Sequence, residues 1–405
     1  MVKKGKRIET KMWKGDEWKT KLQEKLIHLI FVNLLNSLSM KNFATTICLL
    51  FFIFCWVVPN NLRAQTEPDP CGFDLAMEVE FQQNPAYSTL IGQMEQNPGQ
   101  GQGPADGTYE IPTVVHIIHN NGAENISDAQ VLDAIAQANT QLAGGEGGFD
   151  TKIQLVLARR DPNGNCTNGI NRVQYFAPDA DLSDYVTDIT IKNLSRWDPS
   201  KYLNVWIVRC ILPDTDCSDG SGYAGYSYFP GVNPLLDGVV VTHRNFGTVG
   251  TATGNQVNTL AHEFGHYAFL YHVWGPELST STWYRCHPNG QCLTQGDKVC
   301  DTPPCHKSFG GGNPSNTCNQ DVPDVNDPIE NYMSYRHSCQ DRFTEGQAER
   351  MYTFALDNVR ANLWSDENQR CTGIAGYYAG QNPFVTQPLL EWTSATLPEI
   401  GRAHV

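Results

Sequence analysis

Between Gln65 and Thr151 the chain has no lysine and no arginine. The shortage of positive charge runs through the whole body of the protein. The formal net charge is −14, residues 1–64 contribute +7, and the remainder therefore carries −21. So acidic a body excludes nucleic acid and anionic lipid as main partners, because both demand a basic face. No Cys-x-x-Cys pair occurs, which removes the commonest thiolate zinc spacing. There is no internal repeat. The longest leading apolar run, Phe43 to Val58, is too short for a confident membrane span, so the mature form is expected not to span a membrane.

The same run reads as something else. Met40 and Lys41 precede it, and Leu62-Arg63-Ala64 places a small residue before Gln65, the layout of a secretory signal peptide over 40–64. An uncleaved anchor is the alternative. Residues 1–39 resemble no targeting element, and translation is expected to start at Met40. The last six residues, Ile400 to Val405, resemble a translated sequencing adapter, which would make 366–405 a truncated extension. Removing Cys48 and Cys55 with the signal leaves 11 of the 13 cysteines. In an exported chain most of them should be bridged, and an odd number leaves at least one thiol over. The expected setting is extracellular, in a bacterium.

Organisation follows from local signals. Residues 65–107 read as a short helical prosegment ending in the Gly/Pro/Gln-rich linker 97–107, and 108–365 as the catalytic domain. Strands are expected at Ile111–Ile118, Ile153–Leu157, Tyr202–Val208 and Val239–Thr242. Ser127 with Gln130, and Thr344 with Gln347, form capping-box patterns opening two helices. The first carries Val131, Ile135, Ala138 and Leu142 on one face, and the second Met351, Phe354, Ala355 and Val359. A helix is expected from about Asn255 to Leu270. Residues 273–330, rich in Cys, Gly, Pro and Asp, should be irregular and stapled.

That helix carries the chemistry. His262-Glu263-Phe264-Gly265-His266 places two imidazoles one turn apart on one face, where both reach a single zinc. Glu263 stands beside them as a general base. His272, ten residues after His262, supplies a third nitrogen and leaves one metal position open. Two core histidines on an apolar helix are the bland alternative, and the third histidine makes it hard to hold. Separately, Asp297, Asp301 and Thr302 sit in a tight Gly/Pro-flanked loop whose hard oxygens suit calcium, with solvated turn carboxylates as the alternative.

HEFGHYAFLYH resembles the extended zinc motif of metzincins, and Asn331-Tyr332-Met333-Ser334-Tyr335 resembles their Met-turn. With Gly296-Asp297-Lys298-Val299-Cys300-Asp301-Thr302-Pro303, the chain is similar over roughly 71–363 to the pappalysin/cytophagalysin family. The resemblance implies an α+β fold: a twisted mixed sheet, an active-site helix and a loop-rich, disulfide-stapled lower subdomain. It implies zinc on His262, His266 and His272, an apolar floor from Met333, and Tyr335 beside the metal stabilising the oxyanion. It implies a structural calcium with Asp297 and Thr302 at matching positions. It suggests bridges Cys286–Cys318 and Cys305–Cys339, leaving Cys292–Cys300, and Cys210–Cys217 would close a small loop.

Three further expectations stay open. Cys71 resembles a prosegment cysteine that blocks the fourth zinc position, but a disulfide to Cys166 or Cys371 would also use it. Asp341 resembles a specificity-pocket acid favouring Arg or Lys after the scissile bond, but it would equally stand as a solvated aspartate paired with Arg342. Phe269 replaces the glycine that family members carry seven residues after the first histidine, so it should either be strained or change the turn. The function implied is a zinc endopeptidase acting on proteins or peptides and made latent; with no Lys or Arg between Gln65 and Thr151, a strict basic preference would require another protease for activation, and a looser specificity would not. The alternative is an inactive binding or adhesion module on the same fold, against which the retention of Glu263 counts.

Overall fold

The computed structural model describes residues 70–375, apart from 98, 100–103, 105–106, 146, 213–221, 254–256, 277–285, 287–290, 308–315, 320–322 and 336–339. The expected leader and the segment upstream of it lie outside the described residues, as do Cys217, Cys339 and all but the first ten positions of the extension. No helix among the described residues is long and apolar enough to cross a membrane.

The centre of the fold is β1 (Tyr109–His119), and every one of its residues is buried. Its β-branched run suits a parallel strand covered on both faces. On one side its first half pairs in parallel with β2 (Ile153–Leu157) and its second half with β3 (Ile170–Gln174). On the other side lies parallel β5 (Leu203–Val208), then parallel β8 (Val239–Thr242), then β7 (Gly225–Ser227), antiparallel at the edge. A small second sheet pairs β4 (Asp179–Asp181) with β6 (Cys210–Leu212). The sheet is twisted and mostly parallel. The four strands expected from sequence are present. The other four were not legible: β4, β6 and β7 have three residues each, and β3 has only Ile170 and Val173 as apolar residues, out of step with a two-residue period.

Helix α3 (Asp128–Leu142) crosses from β1 to β2. Its cap is half of a capping box. Ser127 Oγ accepts from Gln130 N at 3.2 Å. The Gln130 side chain, however, turns inward and donates to the carbonyls of His243 (2.9 Å) and Phe246 (3.0 Å). Helix α4 (Tyr185–Asn193) was not anticipated. The first described elements are two helices, α1 (Phe73–Gln83) and α2 (Pro85–Gln96), separated at Asn84 with proline opening the second.

Below the sheet, α5 (Thr259–Tyr267) is shorter than the sequence suggests, and all nine of its residues are buried. Past it the described residues form no strand or α-helix before Glu345, and Cys286–Cys318 and Cys292–Cys300 staple them. Helix α6 (Glu345–Met351) opens on a complete capping box between Thr344 and Gln347. It runs on into a π-turn at Tyr352–Leu356. That wider turn shifts the buried face, so Met351 and Ala355 are buried as expected while Val359 is 49 % exposed. Helix α7 (Asp366–Thr372) ends on Gly373 in the left-handed conformation.

Candidate metal centre

The two histidines of α5 are oriented by the backbone carbonyls that face them. His262 Nδ1 lies 2.6 Å from Tyr332 O, and His266 Nδ1 lies 2.7 Å from Leu270 O. A carbonyl only accepts, so each Nδ1 carries the proton and each Nε2 presents its lone pair to the site. The third histidine arrives by a tight stop. After Tyr267, Phe269 N donates to His266 O (2.9 Å) and Leu270 N to Gly265 O (2.8 Å), the two bonds of a Schellman motif. Its left-handed position is filled by Phe269 at φ 79°. The turn therefore keeps the shape glycine would give, and the strain alternative holds, at a cost of about 1–2 kcal/mol. Burial of the ring against Phe229 and Phe354 offsets that cost. Three residues on, His272 Nδ1 faces Asp74 Oδ2 at 3.2 Å, so its Nε2 also points inward.

The ligand atoms of Cys71, His262, His266 and His272 lie within 4.8 Å of one another, all in buried side chains. His266 Nε2 is 3.2 Å from His272 Nε2 and 3.5 Å from Cys71 Sγ. Imidazole lone pairs converging in a buried space fit a bound cation and little else. Burial, with the two neighbouring histidines, holds His266 well below the usual histidine range and so neutral, as a ligand must be. Burial pushes the Glu263 carboxyl up to about 8. These groups fit a resident divalent metal.

The surroundings are shaped for that centre. Gly225, on edge strand β7, lacks a Cβ that would stand 2.8 Å from Glu263 Cγ, and Ser227 Oγ donates to Glu263 O at 2.7 Å. Beneath α5, a Cβ on Gly265 would stand 2.4 Å from Met333 Sδ, so the helix presses its bare backbone onto the buried methionine. The Tyr335 ring centroid is 4.8 Å from that of His272 and 6.0 Å from that of His262. The Met-turn is held from α6: Met333 N donates to Asn331 Oδ1 (2.9 Å), and Asn331 exchanges two bonds with the cap residue Gln347 (2.8 and 3.0 Å). Behind β7 a buried Lys192–Asp188 pair receives the hydroxyls of Tyr226 and Tyr228, both from the β7 region. Sequence reading missed this group, since a Lys four residues after an Asp is usually a surface pair.

The segment Pro70–Gly72 lies along the edge strand. Ala224 N donates to Pro70 O (2.6 Å), Gly72 N to Gly225 O (2.9 Å), and Phe73 stacks on His266 at 3.9 Å. Cys71 is a free thiol inside the donor cluster, and Cys166 and Cys371 are free and exposed, so neither disulfide weighed for Cys71 is formed.

Other anticipated residues divide. Asp297 and Thr302 come together: Thr302 Oγ1 lies 2.7 Å from the buried Asp297 Oδ2, and burial raises the Asp297 carboxyl to about 7. The Asp301 carboxylate is used elsewhere, accepting from Thr344 Oγ1 (2.7 Å) and Gly346 N (2.8 Å) at the start of α6. Asp341 forms a two-point pair with Arg342 (2.6 and 3.2 Å), the arrangement weighed against a pocket. Two bridges match the expected pairing, and Cys210 is also disulfide-bonded. Cys305 corrects the expectation: it is a free thiol, buried as a small core residue rather than bridged to Cys339.

A parallel sheet with an antiparallel edge strand, a buried His-Glu-x-x-His helix, a third histidine after a sharp stop and a methionine turn beneath define a metzincin-type metallopeptidase. The family model described as pregnancy-associated plasma protein-A matches residues 185–356. An extracellular metalloprotease of Arthroderma otae is 29% identical over 248 residues, 60% of this chain and 76% of that protein. Human pappalysin-1 is 30% identical over 188 residues, 45% of this chain but 11% of that protein. Mature mirolysin from Tannerella forsythia, solved with a cleaved peptide, is 30% identical with a TM-score of 0.52, covering 65% of this chain and 98% of that one. A promirolysin variant from the same organism is 29% identical with a TM-score of 0.55, covering 73% of this chain and 97% of that one. The chain belongs to the pappalysin family and is a metallopeptidase hydrolase.

Proposed function

We propose that this is an exported zinc endopeptidase of bacterial type, synthesised in a latent form. The observation that carries the reading is the convergence of His262, His266 and His272 with Glu263 alongside and a strand edge within reach. His266 Nε2 stands 3.2 Å from His272 Nε2 and 3.5 Å from Cys71 Sγ, close enough for these donors to share one zinc ion. Those three histidines would hold the zinc, which when bound supplies a Lewis acid and acidifies a water molecule. The extended substrate adds to the β7 edge through the backbone groups that Pro70–Gly72 use here. Glu263 takes a proton from the attacking water and delivers it to the amine nitrogen as the C–N bond breaks. Tyr335, through its hydroxyl, supports the charge developing on the carbonyl oxygen. Met333 fixes the floor beneath the imidazoles.

Latency belongs to the same reading. Residues 65–107 serve as the prosegment, Cys71 supplies a fourth donor, and Pro70–Gly72 fills the strand edge. Asp297 and Thr302 would hold a structural calcium. A preference for Arg or Lys after the cut would require the substrate cation to displace Arg342 from Asp341. Under such a preference the linker 97–107, which has no Lys or Arg, could not be cut by the enzyme itself, and another protease must activate it.

The test is Glu263→Gln, expected to retain bound zinc and thermal stability while lowering peptidase turnover by at least about 1,000-fold. Substrate clearing that survives chelation of the wild-type protein would overturn zinc catalysis. Cys71→Ala should give activity before processing, and a variant that stays fully latent would remove Cys71 from that role.

A further inference from the structure

At the far end of the prosegment from Cys71 lies a second, buried contact with the catalytic body. Glu95 is the penultimate residue of α2. Arg350 grips it with two nitrogens, at 2.6 and 3.4 Å, and Lys298 Nζ approaches at 3.0 Å. The contact is desolvated: the side chains of Arg350 and Glu95 are 4% and 13% exposed. The guanidinium sits 4.8 to 5.3 Å from the ring centroids of Phe354, Phe269 and Tyr271, and its Nε donates to Phe269 O at 3.0 Å. Backbone strain converges on the same spot. Of the four described non-glycine residues with positive φ, Phe269 (79°) lies under the guanidinium and Lys298 (62°) contacts the carboxylate.

We propose that Glu95 is a second latch for the prosegment, separate from Cys71, and that cutting the 97–107 linker leaves the prosegment docked on the Arg350–Lys298 site. The position of the residue is the reason. Every bond in the linker lies after Glu95, so a cut there leaves the latch on the prosegment side. Release then depends on breaking a buried, multiply bonded ion pair in addition to withdrawing the thiol. This rests on reading residues 65–107 as a prosegment, and it adds where that segment is held after processing.

The experiment uses the full chain carrying Glu263→Gln, with a recognition site for a sequence-specific protease inserted in the linker. After cutting, dissociation of the prosegment is followed by size exclusion and by its release from the immobilised catalytic domain. The prosegment should co-elute with the domain, and should still do so when Cys71→Ala removes the thiol. Adding Glu95→Gln to the Cys71→Ala chain should speed release about 30-fold or more. Lys298→Gln tests the same contact from the domain side and should also speed it. Immediate release on cutting, or an unchanged rate in both latch variants, would overturn the proposal. The readout is peptide release from an inactive chain, so loss of the peptidase reading shows only in the separate turnover assay.

Discussion

His262 and His266 come from a helix laid against a parallel sheet, whereas His272, Met333 and Tyr335 come from segments with almost no regular structure. Above the cleft, backbone ladders repeat, and many equivalent hydrogen bonds together hold each strand. Below it, single side chains hold the loops in place. Gln347 bonds Asn331, Arg350 bonds the Phe269 carbonyl, and two disulfides cross the irregular segment. A half held by repetition should be vulnerable chiefly where a polar group is buried within it. A half held by individual bonds should be vulnerable at each one.

The largest expected effect tests the upper half. His116 is fully buried on β1, its Nε2 2.9 Å from Asn204 Oδ1, and burial lowers its pKa to about 4. A histidine depressed in the folded state contributes stability above its unfolded pKa, and that stability is lost as pH falls from about 6.5 toward 4. Denaturant midpoints should show a loss of about 3 kcal/mol over that window. The loss should be smaller by that amount in His116→Gln, where buried His266 and His243 still titrate, and an unchanged slope there would place the acid sensitivity elsewhere. A smaller effect tests the junction. At φ 79° glycine should be tolerated better than alanine, so Phe269→Gly should be about 1 kcal/mol more stable than Phe269→Ala, although both lose the ring. The opposite order in calorimetry would mean the turn relaxes when the ring goes. The smallest compares the two caps. Ser127→Ala should cost about 1 kcal/mol. Thr344→Ala should cost more, because Thr344 also bonds Asp301 and completes a box whose glutamine reaches the Met-turn. Equal costs would erase the distinction between the halves.

The same contrast decides what was legible in the sequence. The long strands and α3 announce themselves by β-branched runs and a 3.6-residue period, His262 and His266 by their spacing on one helix face, and His272 by its fixed distance along the chain from them. Glu95 on Arg350 joins residues 255 apart, and Asp188 with Lys192 meets tyrosines 38 and 40 positions away. No local pattern encodes such pairings. The capping box at Thr344 was legible as a helix start, but its second duty at Asn331 was not. Phe269 could be identified as a departure from the family, yet its tolerance depends on Phe229 and on Phe354 and Arg350, which arrive from two distant segments. Val359 was misplaced because a π-turn cannot be told from an α-turn by apolar spacing alone.

Gln347 has a consequence for anyone cataloguing damaging substitutions in this chain. By position it belongs to the first turn of a short helix, and a scan would file its loss with mild folding defects. Its amide is bonded to Asn331, whose carbonyl oxygen positions Met333 under the histidines. A Gln347 allele should therefore lower catalysis by more than its loss of folding stability accounts for.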